Sequence, residues 1–214
     1  MKILFLLIIT AFLLQGCLPF YPAALLGTRM PSIISNPKSK NNEKSKYIGL
    51  DASNSPGFNS NEHNLNFRNH FLIAKSTKYR VENVGFFVFG GVYKVGAIDQ
   101  YEGKYGYFGF GPEVSLALYL LIQFIDIGLG AYCTCAYEAG NYLKFKKKVF
   151  KENLADAFTS NWYGFLSLFP IIRAHLNEKI SCWFSFIPSI NKAYDYSLEI
   201  DKYGYFTLGA GYKF

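Results

Sequence analysis

From Tyr47 onward, bulky apolar residues alternate with small or polar ones at a period of two, and turn residues break the alternation at short intervals. Strands that face an apolar medium on one side and a polar one on the other produce this pattern. It is clearest over residues 105–119. There Phe108, Phe110, Val114, Leu116 and Leu118 share one face, and Gly109, Gly111, Glu113, Ser115 and Ala117 share the other. Ile125, Ile127 and Leu129 likewise oppose Asp126, Gly128 and Gly130, and Phe206, Leu208, Tyr212 and Phe214 oppose Thr207, Gly209, Gly211 and Lys213. The whole pattern predicts eight strands, at 46–53, 64–75, 84–97, 105–119, 123–137, 161–175, 179–189 and 203–214.

One stretch admits two readings. Residues 114–132 are rich in Leu and Ile and have no Gly or Pro at the proposed turn near 120–122. A transmembrane helix of about 20 residues fits the same length. Asp126 would cost such a helix about 2.5–3.5 kcal/mol near its centre, an amount that several Leu and Ile at about 0.3–0.6 each can offset.

Alternation alone does not name the apolar medium, because a soluble β-sandwich or lipocalin-like domain also buries a bulky face. The two ends of the chain point to a membrane. Lys2 precedes an apolar run, 3–14, that is too short for a membrane-spanning helix and has the form of an export signal. Leu14-Gln15-Gly16-Cys17 follows and resembles the lipobox of bacterial lipoproteins. That resemblance implies removal of residues 1–16 and acylation of Cys17, with each buried methylene contributing about 0.8 kcal/mol to membrane anchoring. At the other end, Thr207, Gly209, Tyr212 and Phe214 fill a pattern of polar residue, glycine and two aromatics. The pattern resembles the terminal signal by which the barrel-assembly machinery receives outer-membrane barrels. Its last strand must seal against the first so that no edge faces lipid.

Residues 47–214 therefore resemble the small eight-stranded outer-membrane barrels. The expected fold is all-β, an antiparallel transmembrane barrel of about eight strands, with residues 17–46 as a lipidated, flexible tether whose second half is polar. With a periplasmic tether, connections 54–63, 98–104, 138–160 and 190–202 are external, and 76–83, 120–122 and 176–178 are periplasmic. The external set is the longer, as such barrels require. Members of the group act as structural anchors, adhesins, defence factors or lipid A-modifying enzymes, so the resemblance does not choose a role.

Composition agrees with an apolar exterior and aromatic belts. The chain is 50% hydrophobic, 17% charged and 19% aromatic, with 21 Phe and 17 Tyr against 2 Trp. Its net charge of +7 points to outer-membrane lipid and lipopolysaccharide phosphates rather than nucleic acid, since no basic run forms a recognisable nucleic-acid module. With Cys17 acylated, Cys133, Cys135 and Cys182 remain, an odd number that leaves at least one free thiol. Cys133 and Cys135 share a strand face and cannot bridge each other. A Cys182 bridge to one of them, or three unpaired small residues, both stay open. No Cys/His set has zinc spacing, and no cofactor is expected.

Strand parity puts Asp51, Arg68, His70, Glu113, Asp126 and Lys213 on the lumen side. Charges in a narrow bore must pair, so Arg68 is expected to meet Glu113 or Asp126. The third external connection carries Lys144, Lys146, Lys147, Lys148 and Lys151 among apolar residues, with room for a short helical turn. It fits a polyanion such as lipopolysaccharide, or a solvated loop. Lipid A-modifying barrels of this size use a Ser/His pair with an acidic partner; here His63 lies near Ser60 and Glu62, without a His-x-Ser pattern. The expected protein is a non-enzymatic, lipid-anchored outer-membrane barrel with a structural or surface-interaction role. A narrow pore, a lipid A-modifying enzyme and a soluble lipoprotein domain are the alternatives.

Overall fold

The alternating segments become long strands because each backbone N–H and C=O must find a partner across the sheet while the side chains divide between its two faces. The computed structural model describes residues 21–24, 43–57, 61–77, 79–122, 124–177, 179–187, 190–192, 198–200 and 205–214. Among them the strands are β1 (Glu43–Pro56), β2 (His63–Ser76), β3 (Arg80–Val95), β4 (Gly103–Ile122), β5 (Ile125–Gly140), β6 (Trp162–His175), β7 (Ile180–Ile187), β8 (Ile190–Lys192), β9 (Leu198–Ile200) and β10 (Tyr205–Lys213). Strands β8 and β9 pair only with each other. The other eight close an antiparallel ring in sequence order, with β10 returning to β1. That seam runs from Tyr47 opposite Lys213 to Asn54 opposite Phe206.

The two faces of the ring differ as the alternation requires. Along β2, exposed and buried residues alternate without a break. Phe67, Phe71, Ile73, Leu118, Leu120 and Leu208 point outward and are at least 48% exposed, while Asp51, Arg68, His70, Glu113 and Asp126 point inward and are at most 2% exposed. An apolar surface that encircles a polar interior has hydrocarbon as its natural solvent, and water would leave it as one continuous sticky band. The molecule is thus a transmembrane β-barrel, and the soluble-domain alternative is set aside.

Residues 114–132 are a hairpin rather than a helix. Strands β4 and β5 pair down to Ile122 opposite Ile125, and Asp126 lies inside the ring opposite Arg173. The hairpin puts the aspartate against a cation, whereas a lone helix would have put it in lipid. Among the described residues no helix is long and apolar enough to cross a membrane. Two of the short connections are shorter than predicted, at 77–79 and 123–124, and the third, 176–179, is one residue longer. Strand β3 starts at Arg80 because Val81 and Asn83 already follow the inward parity. At the opposite end, 57–62, 96–102, 141–161 and 188–204 are long, and 141–161 carries helix α1 (Asn141–Lys151). Outer-membrane barrels carry their long loops outside.

Gly209, part of the terminal pattern, has a packing reason. A Cβ there would stand 2.1 Å from Trp183 Cε2, because the indole lies across the inner face of β10. Gly209→Ala should therefore destabilise the barrel by about 1–3 kcal/mol, read by urea unfolding in lipid vesicles, and Trp183→Leu in the same chain should recover most of it. An alanine variant as stable as the parent would refute this packing.

Candidate functional site: a charged bore and a basic, capped mouth

Midway down the barrel, strands β1, β2 and β4 bring four ionisable side chains together. Arg68 Nε donates to Asp51 Oδ1 at 2.9 Å. The His70 ring stands between two carboxylates, with Nε2 2.8 Å from Asp51 Oδ2 and Nδ1 2.6 Å from Glu113 Oε1. An imidazole donates from both nitrogens only as its cation. In that form two carboxylates face one guanidinium and one imidazolium, and the cluster is neutral. All four groups are buried, so this balance is what makes their burial tolerable. The ring of Phe87 stacks beside His70 at 6.1 Å.

A second cluster lies near the short-turn end. Asp126 Oδ2 forms an ion pair with Arg173 Nη2 at 2.8 Å and faces His175 Nε2 at 2.7 Å. His175 Nδ1 is 2.8 Å from Ser181 Oγ, and the Arg173 guanidinium lies over the Tyr119 ring at 4.9 Å. The pairing thus differs from expectation in its partners. Arg68 meets Asp51 rather than Glu113 or Asp126; Glu113 joins through His70, and Asp126 belongs to a separate cluster. Parity located these charges on the inner face but carried no information on which rotamers meet across three strands.

At the long-loop end the bore is closed by aromatic rings. Tyr93 and Tyr142 stack at 4.5 Å, and Phe89, Tyr107 and Phe145 join the same buried cluster. Glu62 ties two loops together, its Oε1 accepting from the backbone N–H groups of Gly96 at 2.9 Å and Ala97 at 3.0 Å. It is buried while its neighbour His63 is exposed, so the loop does not assemble an acid–histidine pair. Ser60 lies outside the described residues. Residues 21–24, expected within the tether, are packed in this mouth.

Helix α1 lies over the mouth. Gly140 precedes it at φ +114°, a conformation that suits glycine, and a Cβ there would come 2.7 Å from Gly106 O. Tyr142, Leu143, Phe145, Lys146 and Val149 face the barrel. Lys144, Lys147, Lys148 and Lys151 are exposed, at helical spacings that place them on one outward stripe. Lys146 is the correction to the predicted basic patch: it is buried, and its Nζ sits 2.8 Å from Glu138 Oε1. Burial pulls its ammonium below the usual lysine range, and the Glu138 charge opposes that shift. Lys148 Nζ lies over the Tyr101 ring at 4.7 Å.

Of the remaining expected sites, Thr207 is buried and Tyr212 and Phe214 face outward at the β1–β10 seam. Cys133, Cys135 and Cys182 are free, and β6 stands between the strands that carry them. Cys17 and the motif before it lie outside the described residues. Among the described residues no cluster of His, Cys, Asp or Glu could hold a metal ion.

The chain matches no family model and no curated protein. Among solved structures it is similar to Neisserial surface protein A, at 11% identity and a TM-score of 0.44 over 79% of this chain and 94% of that one. It is also similar to Ail, the attachment invasion locus protein of Yersinia pestis, in complex with the heparin analogue sucrose octasulfate. There the identity is 15% and the TM-score 0.33, over 82% of this chain and all of that one. The likeness is one of fold. The architecture described here rests on the ring's own closure and its two faces.

The mid-bore cluster yields a stability test. Arg68→Ala leaves Asp51 buried without its guanidinium, and removing one partner of a buried pair costs about 3–5 kcal/mol. Thermal and urea unfolding of the vesicle-embedded barrel should show that loss, and a variant within about 0.5 kcal/mol of the parent would remove the cluster from any account of stability.

Proposed function

We propose that this protein is a lipid-anchored barrel of the bacterial outer membrane, with a structural or surface-interaction role, that presents α1 to anionic glycolipid. The observation that carries the reading is the outward stripe of Lys144, Lys147, Lys148 and Lys151 at the long-loop mouth. Lipopolysaccharide phosphates lie at that height in an outer membrane and have the complementary charge. Each lysine close to an anionic surface contributes about 1 kcal/mol, lost as salt screens it. Acylation of Cys17 would supply the anchor, and its motif is the support for it.

The bore favours this role over conduction. Charged side chains fill its middle, and stacked rings with a buried Glu138–Lys146 pair fill its mouth. No described set of side chains brings a nucleophile, a base and an acidic orienting group together at the external rim, which is where a lipid A-modifying enzyme would need them.

Replacing Lys144, Lys148 and Lys151 with Gln should weaken binding to lipopolysaccharide-containing vesicles by about two orders of magnitude at low salt. Lys146→Gln should instead lower thermal stability and leave binding by the folded fraction unchanged. Equal binding by the triple variant and the parent would overturn the glycolipid reading. If Lys146→Gln were the variant that lost binding, the exposed stripe would be the wrong surface.

A further inference from the structure

Beside α1 the rim of the barrel holds a cleft of about 330 Å³, lined by Tyr101, Tyr105, Asn141, Lys144, Phe145 and Lys148. Three stretches of chain build it: the 3-10 turn Asp99–Tyr101, the first residues of β4 and one flank of α1. Its walls are braced by one another. Tyr105 packs on Phe145 with ring centroids 4.6 Å apart, and Tyr101 meets the same ring edge-on at 6.0 Å. The Tyr105 hydroxyl donates to Tyr101 O at 2.9 Å. The Tyr101 hydroxyl donates to Glu152 Oε2 at 2.6 Å, which ties the turn to the residue that follows α1. A ligand entering such a cleft has few side chains left to immobilise.

The lysines of the outward stripe do not share one environment. Lys144 and Lys148 are one helical turn apart, and both line the cleft. The Lys148 ammonium over the Tyr101 ring keeps a positive charge at the cleft wall. Lys147 does not line it; its Nζ donates instead to Asn161 Oδ1 at 3.0 Å.

Aromatic walls, a carboxamide and two ammonium groups together select a ligand. A bare phosphate would meet the ammonium groups and leave the rings unused. An acyl chain would use the rings and strip water from the lysines. A sugar ring carries C–H groups that lie against the negative faces of aromatic rings. Its hydroxyls suit the exposed Asn141 amide, which can both donate and accept. A phosphate ester on that sugar has the charge for Lys144 and Lys148. Small-molecule sites start near about 300 Å³, so the volume suits one sugar ring rather than a chain of them.

We infer that this cleft binds a single phosphorylated sugar ring of the glycolipid, so that α1 recognises a headgroup rather than a diffuse negative surface. The inference rests on the glycolipid reading proposed above and adds a selectivity that the charge of the stripe alone does not give. Salt screens the lysines, whereas the ring contacts persist.

The test uses the full-length barrel in neutral detergent micelles, with glucose 1-phosphate, inorganic phosphate and glucose as probes and calorimetry as the readout. Binding to neutral vesicles with and without lipopolysaccharide is measured alongside. Glucose 1-phosphate should bind about tenfold or more tightly than either inorganic phosphate or glucose at the same ionic strength. Tyr101→Ala should remove its advantage over inorganic phosphate, and Tyr101→Phe, which keeps the ring, should retain it. Heat-shifted migration on gels shows which variants have folded. Asn141→Ala, at an exposed position outside the core, should reduce the same advantage and serves if Tyr101→Ala does not fold.

Binding to lipopolysaccharide vesicles without a preference for glucose 1-phosphate over inorganic phosphate overturns this inference and leaves the glycolipid reading standing. A preference that the folded Tyr101→Ala and Asn141→Ala variants both keep overturns the cleft as its site. Glucose 1-phosphate bound by a barrel that does not distinguish the two kinds of vesicle overturns the glycolipid as the source, and the proposed function with it. Binding of neither overturns both.

Discussion

A sheet in hydrocarbon cannot leave an edge unpaired, and the seam between β1 and β10 is where this chain meets that demand. With the ring closed, every strand has two neighbours and each residue has only two directions to point. Parity then becomes binding. The residues that alternate with the lipid-facing Phe, Leu and Ile must face a bore, whatever their charge, and a one-residue slip at the seam would turn Asp51 and Arg68 into hydrocarbon.

What the bore receives is a sequence of layers. Aromatic rings and a buried Glu138–Lys146 pair fill the long-loop end, a four-membered charge cluster fills the middle, and Asp126 with Arg173 and His175 lies near the short turns. Tyr47, Leu72, Tyr132 and Trp183 belong to a further apolar cluster within the ring. An eight-stranded ring has an interior that side chains can just fill, and small inward residues leave the room that the large ones take. Gly209 beneath Trp183 shows this at a single position.

Much of this was legible from alternation alone, because a period of two survives errors of a few residues in strand boundaries. All eight ring strands and the inward placement of Asp51, Arg68, His70, Glu113 and Asp126 follow from it. Pairing was not legible. Arg68 and Asp51 are joined by register, which depends on where β1 ends and β2 begins. Lys146 was misplaced because five lysines close together read as one charged surface, while a helix turns one of them inward to Glu138. The hairpin at 114–132 was ambiguous for lack of a turn residue, and the polarity of Asp126 resolved it only once Arg173 stood opposite. Glu62 carried no signal, since its partners are backbone N–H groups of a different loop and the distant Tyr21 hydroxyl.

The ring's neighbours are mostly successive in sequence, joined by turns that bring them together as the chain lengthens. The seam is the exception, with roughly 160 residues between Tyr47 and Lys213. By the logarithmic cost of closing a chain, that loop is about 3–4 kcal/mol harder to close than a tight hairpin. Until β10 is in place, β1 carries an open row of donors and acceptors on one side. The first strand of the ring to be synthesised is thus one of the last to be completed, and it needs shelter from other unpaired edges throughout that wait.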